Sequence, residues 1–150
     1  MIFYTDGSAH PNPGPGGYGI VGIENDKIVF VRSRQYDSKV TNNEMEIKAI
    51  LYVMLNYGVK EGIVPVVYSD SAYCVNIFTD WVFRWANNNW IKSDKKTPEN
   101  LELIQAYYDL YQLGYRIDLR KVKGHSDNKY NNLADKLATG KISEEEAICE

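Results

Sequence analysis

The chain is 150 residues long, 44% hydrophobic and 25% charged, with 11 glycines and 5 prolines, which is the size and make-up of one globular domain with a real core and excludes a low-complexity chain. A formal net charge of −3 argues at first against a nucleic-acid partner, no apolar run reaches membrane-spanning length, and the N-terminus has no charged segment followed by an apolar one. The two cysteines, Cys74 and Cys149, form neither a disulfide framework nor a metal-ligand spacing, so a reduced, cytoplasmic protein is expected, and with no extended apolar interface suggested by the sequence a monomer is the default.

The first forty residues read as antiparallel sheet: a strand over 1–9, a Pro/Gly-rich connector over 11–17, then strands over 18–24 and 27–36 joined by the hairpin signal Asn25-Asp26. Thr41 or Asn42 can cap a helix whose apolar positions, Ile47, Ile50, Leu51, Met54 and Leu55, keep helical spacing up to Gly58. The continuous apolar run 63–68 predicts a central parallel strand, buried on both faces. Asp70 or Ser71 then opens a helix through Ile77, and 81–96 is a segment with three tryptophans and the cations Arg84, Lys92, Lys95 and Lys96. A helix over 101–113 ends at Gly114, 115–122 alternates as a strand, and 128–142 reads as a final helix. The order βββαβ(αα)αβα, without repeats or linkers, predicts one α/β domain over residues 1–142 with a mixed five-stranded sheet, three antiparallel N-terminal strands plus two further strands, flanked by helices. Residues 143–150 read as a short acidic tail whose only evident role is solubility.

Four acids stand at strand ends or helix starts: Asp6, Glu46, Asp70 and Asp135. None has an obvious basic partner one helical turn away. A carboxylate at the C-terminal end of a strand lies at the sheet edge where open α/β folds place ligands. An oxygen-only ligand set suits hard cations such as Mg2+ or Mn2+ rather than zinc. Divalent cations held there would offset the negative total, so local charge matters more than the sum. Taken singly, each acid is better explained by solvation or capping.

Together the motifs resemble ribonuclease H type 1. Tyr4-Thr5-Asp6-Gly7-Ser8 and Asn12-Pro13-Gly14-Pro15-Gly16-Gly17-Tyr18-Gly19 look like the opening of that family. Thr41-Asn42-Asn43-Glu44-Met45-Glu46 and Tyr68-Ser69-Asp70-Ser71-Ala72-Tyr73 resemble its second and third signatures, and Val122-Lys123-Gly124-His125 with Asn131–Asp135 its fourth. The pieces occur in order from residue 1 to about 140. The resemblance implies the ribonuclease H-like fold and an endonuclease that cuts the RNA strand of RNA–DNA hybrids, leaving 5′-phosphate and 3′-hydroxyl ends. It implies two Mg2+ ions, with Mn2+ as a substitute. Asp6 would bridge both, Asp135 would complete the site that activates water, and Glu46 and Asp70 would hold the other. His125 would assist proton transfer or product release, as an imidazole titrating near neutrality can.

The same resemblance implies the substrate contacts. Asn12 and Asn42 would meet sugars and base edges in the minor groove, helped by Gly7, Ser8 and Ser71. Thr41 would join a pocket for a DNA phosphate, and Trp81 would pack on a DNA sugar. Turn formation, helix capping and core packing are the alternative duties of these residues. Segment 81–96 resembles the family's basic protrusion but departs from it: Arg84, Lys92, Lys95 and Lys96 remain, yet the tip is Ala86-Asn87-Asn88-Asn89. Weaker hybrid binding and a shallower salt dependence are expected. Ala72 stands where many relatives carry a long amide. A resolvase- or integrase-type nuclease would share the acids without the Asn12 and Asn42 contacts, an inactive hybrid-binding module would lack at least one acid, and a reverse-transcriptase fragment is disfavoured because Met1 directly precedes the first strand.

Overall fold

The computed structural model describes residues 1–122 and 128–150. Five strands form one sheet in the order β3-β2-β1-β4-β5. They are β1 (Ile2–Ala9), β2 (Gly14–Glu24), β3 (Lys27–Val40), β4 (Val66–Ser69) and β5 (Asp118–Lys121). β1, β2 and β3 run antiparallel as a meander, whereas β4 lies parallel to β1 and β5 parallel to β4. Asn25 and Asp26 both take positive φ, 53° and 61°, the backbone that a two-residue hairpin with the native twist requires. The five-stranded mixed sheet expected from the sequence is the one observed.

Helices cover both faces. On one side lie α1 (Asn42–Tyr57), α2 (Ala72–Asn76), a π-helical turn (Ile77–Trp81), α3 (Val82–Asn87) and α4 (Leu101–Gln112). Their apolar stripes close a core around Phe3, Ile20, Ile50, Met54, Val67, Phe78 and Ile104. On the other side α5 (Lys129–Ala138) and α6 (Glu144–Ile148) close a smaller core around Val21, Ile23, Leu133, Leu137 and Ala147. No helix among the described residues is long and apolar enough to cross a membrane.

Several boundaries differ from the sequence reading, each for a local reason. The apolar run at 63–68 is not all strand: Ile63 is 90% exposed, and pairing starts only at Val66 because Pro65 has no N–H to give the ladder. β5 starts at Asp118, since Arg116 instead forms an antiparallel bridge with Val59. α5 stops at Ala138, where Gly140 takes the left-handed φ of 74° that ends helices. Residues 143–150 are not merely solvated. Ser143 and Glu146 form a reciprocal capping box at the start of α6, Ala147 is fully buried, and Glu144 Oε1 accepts from the Ser33 amide at 3.1 Å.

Candidate active site

Strand register brings the first two acids together. Thr5 of β1 pairs with Ser69 of β4, so Asp6 and Asp70 each stand one residue beyond a matched pair on neighbouring parallel strands. Adjacent strands are about 4.8 Å apart, which sets the scale of their separation. α1 delivers the third. Its N-cap is Thr41, whose Oγ1 accepts from the Glu44 amide at 3.1 Å, and Glu46 lies in its second turn facing the sheet. The helix comes this close because residue 7 is glycine: a Cβ there would sit 2.3 Å from the Glu46 nitrogen. Gly19 does the same on the opposite face, where a Cβ would lie 2.4 Å from the Ala134 carbonyl oxygen, so α5 rests on β2 and carries Asp135 to the same sheet edge.

Asp6, Glu46 and Asp70 each offer a carboxylate oxygen within 4.8 Å of the others. Asp6 and Glu46 are both 6% exposed, and neither forms an ion pair among the described residues. Asp135 is exposed, yet it approaches Asp6 closely enough to hydrogen-bond and to act on its charge. Burial is the main reason that the Asp6 carboxyl rises from an ordinary 3.8 to about 7; the charges of Asp70 and Asp135 push the same way, and a hydrogen bond with Glu46 opposes them. Burial likewise holds Glu46 well above the usual carboxylate range, with Asp6 and then Asp70 adding to it. The Gly7 amide donates to Asp6 Oδ1 at 2.9 Å. Glu46 Oε2 is buried and accepts no hydrogen bond among the described residues.

These observations test the fit of the implied ions. Anionic oxygens gathered away from cations, one of them buried with no donor, are costly unless a positive charge completes them. A donor set made only of carboxylates suits a hard divalent cation. The residues fit such a group.

The expected substrate-contact residues fall into two groups. Around the cluster, Asn42 Oδ1 accepts from the Ala9 amide at 2.6 Å and Asn12 Oδ1 accepts from the Asn42 amide at 3.1 Å, so both oxygens tie the β1–β2 turn to the start of α1. Gly7 and Ser8 lie half-buried on β1, and Ser71 caps α2 by accepting from the Cys74 amide at 3.1 Å. Farther out, half-buried Trp81 packs at 5.9 Å from Trp85 and edge-on to Tyr73, at the wall of a groove of about 550 Å³ that Arg84 and Lys92 also line. There the sequence reading missed two counter-charges: Asp80 pairs with Arg84 at 3.1 Å and Asp94 with Lys92 at 3.7 Å. The i,i+4 spacing of Asp80 and Arg84 was the signal that could have shown the first. His125 lies outside the described residues.

Comparison with known proteins agrees with this geometry. The family model described as RNase H matches residues 1–143. A ribonuclease H of Caldanaerobacter subterraneus subsp. tengcongensis is 41% identical over 93% of this chain and 88% of its own. A ribonuclease H of Chlorobaculum parvum is 40% identical over 97% of both chains. Among solved structures, LC11-RNase H1 in complex with an RNA/DNA hybrid superposes with a TM-score of 0.67 at 22% identity, covering 98% of both chains. The PFV RNase H domain does so with a TM-score of 0.76 at 24% identity, covering 91% of this chain and 90% of that one. These two structural likenesses speak to the fold, while sequence identity near 40% along almost the whole length speaks to descent: the chain belongs to the ribonuclease H family, metal-dependent endoribonucleases that hydrolyse RNA paired with DNA.

Proposed function

We propose that this chain cuts the RNA strand of RNA–DNA hybrids with two Mg2+ ions held by Asp6, Glu46, Asp70 and Asp135, leaving 5′-phosphate and 3′-hydroxyl ends. The observation that carries this reading is the convergence of Asp6, Glu46 and Asp70 within 4.8 Å at the sheet edge, with one buried Glu46 oxygen unsatisfied. Bound there, the ions supply the electrophilic charge for in-line displacement at phosphorus. Asp6 is central, lying between Glu46 on one side and Asp135 on the other, and it would be shared by both ions. Glu46 and Asp70 would complete one position and Asp135 the other. Mn2+ has the same preference for oxygen and would substitute.

The chain's own groups position the substrate. Asn12 and Asn42 spend their carbonyl oxygens on the turn, so their amide N–H groups serve ribose and base-edge acceptors of the hybrid. The backbone at Gly7 and Ser8 lies beside the cluster, where a strand can approach closely. Thr41 and Ser71, half-buried at the starts of α1 and α2, flank it. Trp81 offers an apolar face to a DNA sugar, with Arg84 and Lys92 toward the backbone phosphates. His125 moves a proton near the leaving group or eases product release. The domain proper spans residues 1–142 and continues into the acidic C-terminal segment 143–150. We place the protein in the cytoplasm, consistent with two unpaired cysteines, and take it to act as a monomer.

The test is cleavage of a labelled hybrid by wild type and Asp70→Asn, with and without EDTA. Cleavage confined to the RNA strand, lost in EDTA and in the variant, is expected. Cleavage that survives chelation, or that Asp70→Asn leaves intact, would refute the proposal.

A further inference from the structure

Asp135 reaches the carboxylate cluster from a different layer than its companions. Asp6 and Asp70 stand at the ends of neighbouring strands and Glu46 on the helix packed against them, and these three converge within 4.8 Å without it. Asp135 is exposed and rides on α5, on the other face of the sheet. Its distance from Asp6 is therefore set by where α5 rests.

α5 lies across one cross-strand row. That row runs from Asp6 through Gly19 to Ser33, so it links the Asp6 carboxylate to the edge strand about 10 Å away. At Gly19 the missing Cβ lets the Ala134 carbonyl approach the sheet. At Ser33 the hydroxyl donates to the Leu137 carbonyl at 2.8 Å. Gln35, two residues on and on the same face of β3, adds a second grip: its Nε2 donates to the carbonyls of Leu137 at 2.9 Å and Ala138 at 3.2 Å. Small neighbours make room for that amide. A Cβ on Gly17, the cross-strand partner of Gln35, would sit 2.5 Å from Nε2, and one on Gly140 would meet Oε1 at 3.4 Å. Ser33 is itself held through its amide, which donates to Glu144 Oε1.

The three bonds land on carbonyls in the last turn, where a helix leaves its oxygens without i+4 partners. Leu133 and Leu137 share the smaller core with Val21, Ile23 and Ala147. That apolar contact holds α5 to the sheet, but it is non-directional and opposes sliding and rotation only weakly. Hydrogen bonds weaken steeply with misalignment, so the grip from β3 restrains both. Leu137 and Ala138 follow Asp135 by two and three residues, about 3–5 Å along the axis, so a displacement at the grip passes to Asp135 almost undiminished.

We propose that Ser33 and Gln35 are positioning residues for Asp135: by gripping the end of α5 they hold its carboxylate at the distance from Asp6 that a divalent cation requires. They act through Asp135 and not on the substrate. This inference rests on the assignment of Asp135 to one ion position in the function proposed above.

The test compares wild type with the double variant Ser33→Ala/Gln35→Met, which removes all three bonds and keeps the length of the side chain at residue 35. Mn2+ binding to the free chain, read from loss of the free-ion electron paramagnetic resonance signal, should weaken about tenfold, the lower end of the cost of losing a partner that orients a metal ligand. Asp135→Asn should weaken the same class of sites. The Mg2+ concentration that half-saturates single-turnover cleavage of a hybrid should also rise about tenfold, with the rate at saturating Mg2+ and the affinity for hybrid close to wild type. Gln35→Arg points donors at the same carbonyls, and in the Ser33→Ala background it should recover most of the loss. Gln35→Met alone, at an exposed position, keeps the Ser33 bond and should show about threefold, so it carries the test even if the double variant unfolds. Unchanged Mn2+ affinity, a weakening confined to sites that Asp135→Asn leaves intact, or a rate that falls at every Mg2+ concentration with the half-saturation unmoved would overturn the positioning role while leaving hybrid cleavage standing. An Asp135→Asn chain that binds Mn2+ as wild type does would withdraw Asp135 from the ion site, and this inference with it.

Discussion

Asp6→Asn should abolish hybrid cleavage and yet stabilise the metal-free fold at alkaline pH. The Asp6 carboxyl keeps its proton up to about pH 7 in the folded chain, whereas an ordinary aspartate releases it near 3.8. Between those values the folded state binds more protons than the unfolded state, so metal-free stability falls as pH rises from about 4 to 7 and the full penalty persists above 7. The shift spans about three pH units, and at about 1.4 kcal/mol per unit the ceiling is about 4 kcal/mol. The replacement amide still accepts from Gly7 and removes one of the charges that crowd Glu46. At about 2–4 °C per kcal/mol for a domain of this size, a rise in Tm on the order of 10 °C is expected at pH 8 in EDTA, with little change at pH 4. Thermal unfolding followed by circular dichroism at the two pH values measures it. A variant that melts below wild type at pH 8, or shifts equally at both pH values, would refute the reasoning. Added Mg2+ at pH 8 should raise the melting temperature of wild type and not that of the variant.

Other expectations follow from separate contacts. Gly7→Ala forces a Cβ against the α1 backbone at Glu46, so it should cost several kcal/mol in urea unfolding, or displace α1 and depress cleavage; a variant unchanged in both would contradict the close-approach argument. Asp94→Asn releases Lys92 for a phosphate, so the salt dependence of hybrid binding, read by anisotropy in the inactive Asp70→Asn background, should steepen by up to about one unit in log–log slope; an unchanged slope would mean Lys92 does not reach the backbone. Ser143→Ala removes the α6 capping box and should cost about 1 kcal/mol in chemical denaturation, whereas a neutral result would mean that α6 adds nothing to stability.

Much of the architecture was legible because short-range rules agree along this chain. The Asn25-Asp26 turn, the Thr41 cap and the helical spacing after it each appear where local pattern placed them. The acids were visible only as separate points: no rule of periodicity states that Asp6 and Asp70 end up side by side, since that depends on the parallel pairing of β1 with β4, whose partners are 64 residues apart in sequence. The resemblance to a known family supplied that link. Apolar content misled at Ile63, where backbone chemistry at Pro65 overrides side-chain preference. The acidic tail misled in the opposite sense, because a single alanine and one carboxylate suffice to dock a five-residue helix. The Asp80–Arg84 pair was legible in its i,i+4 spacing, whereas the pairing of Asp94 with Lys92 emerges only from side chains meeting across a turn.

The pairing of Thr5 with Ser69 makes chain length, and not only residue identity, a determinant of the chemistry. One extra residue between Val66 and Asp70 would reverse which side of the sheet Asp70 faces and point its carboxylate into the greasy interior under α1. Two would restore the side but carry the charge about 7 Å past its companions. Homologues can therefore lengthen the loop ahead of Val66 freely, while the four-residue strand itself tolerates substitution but not insertion.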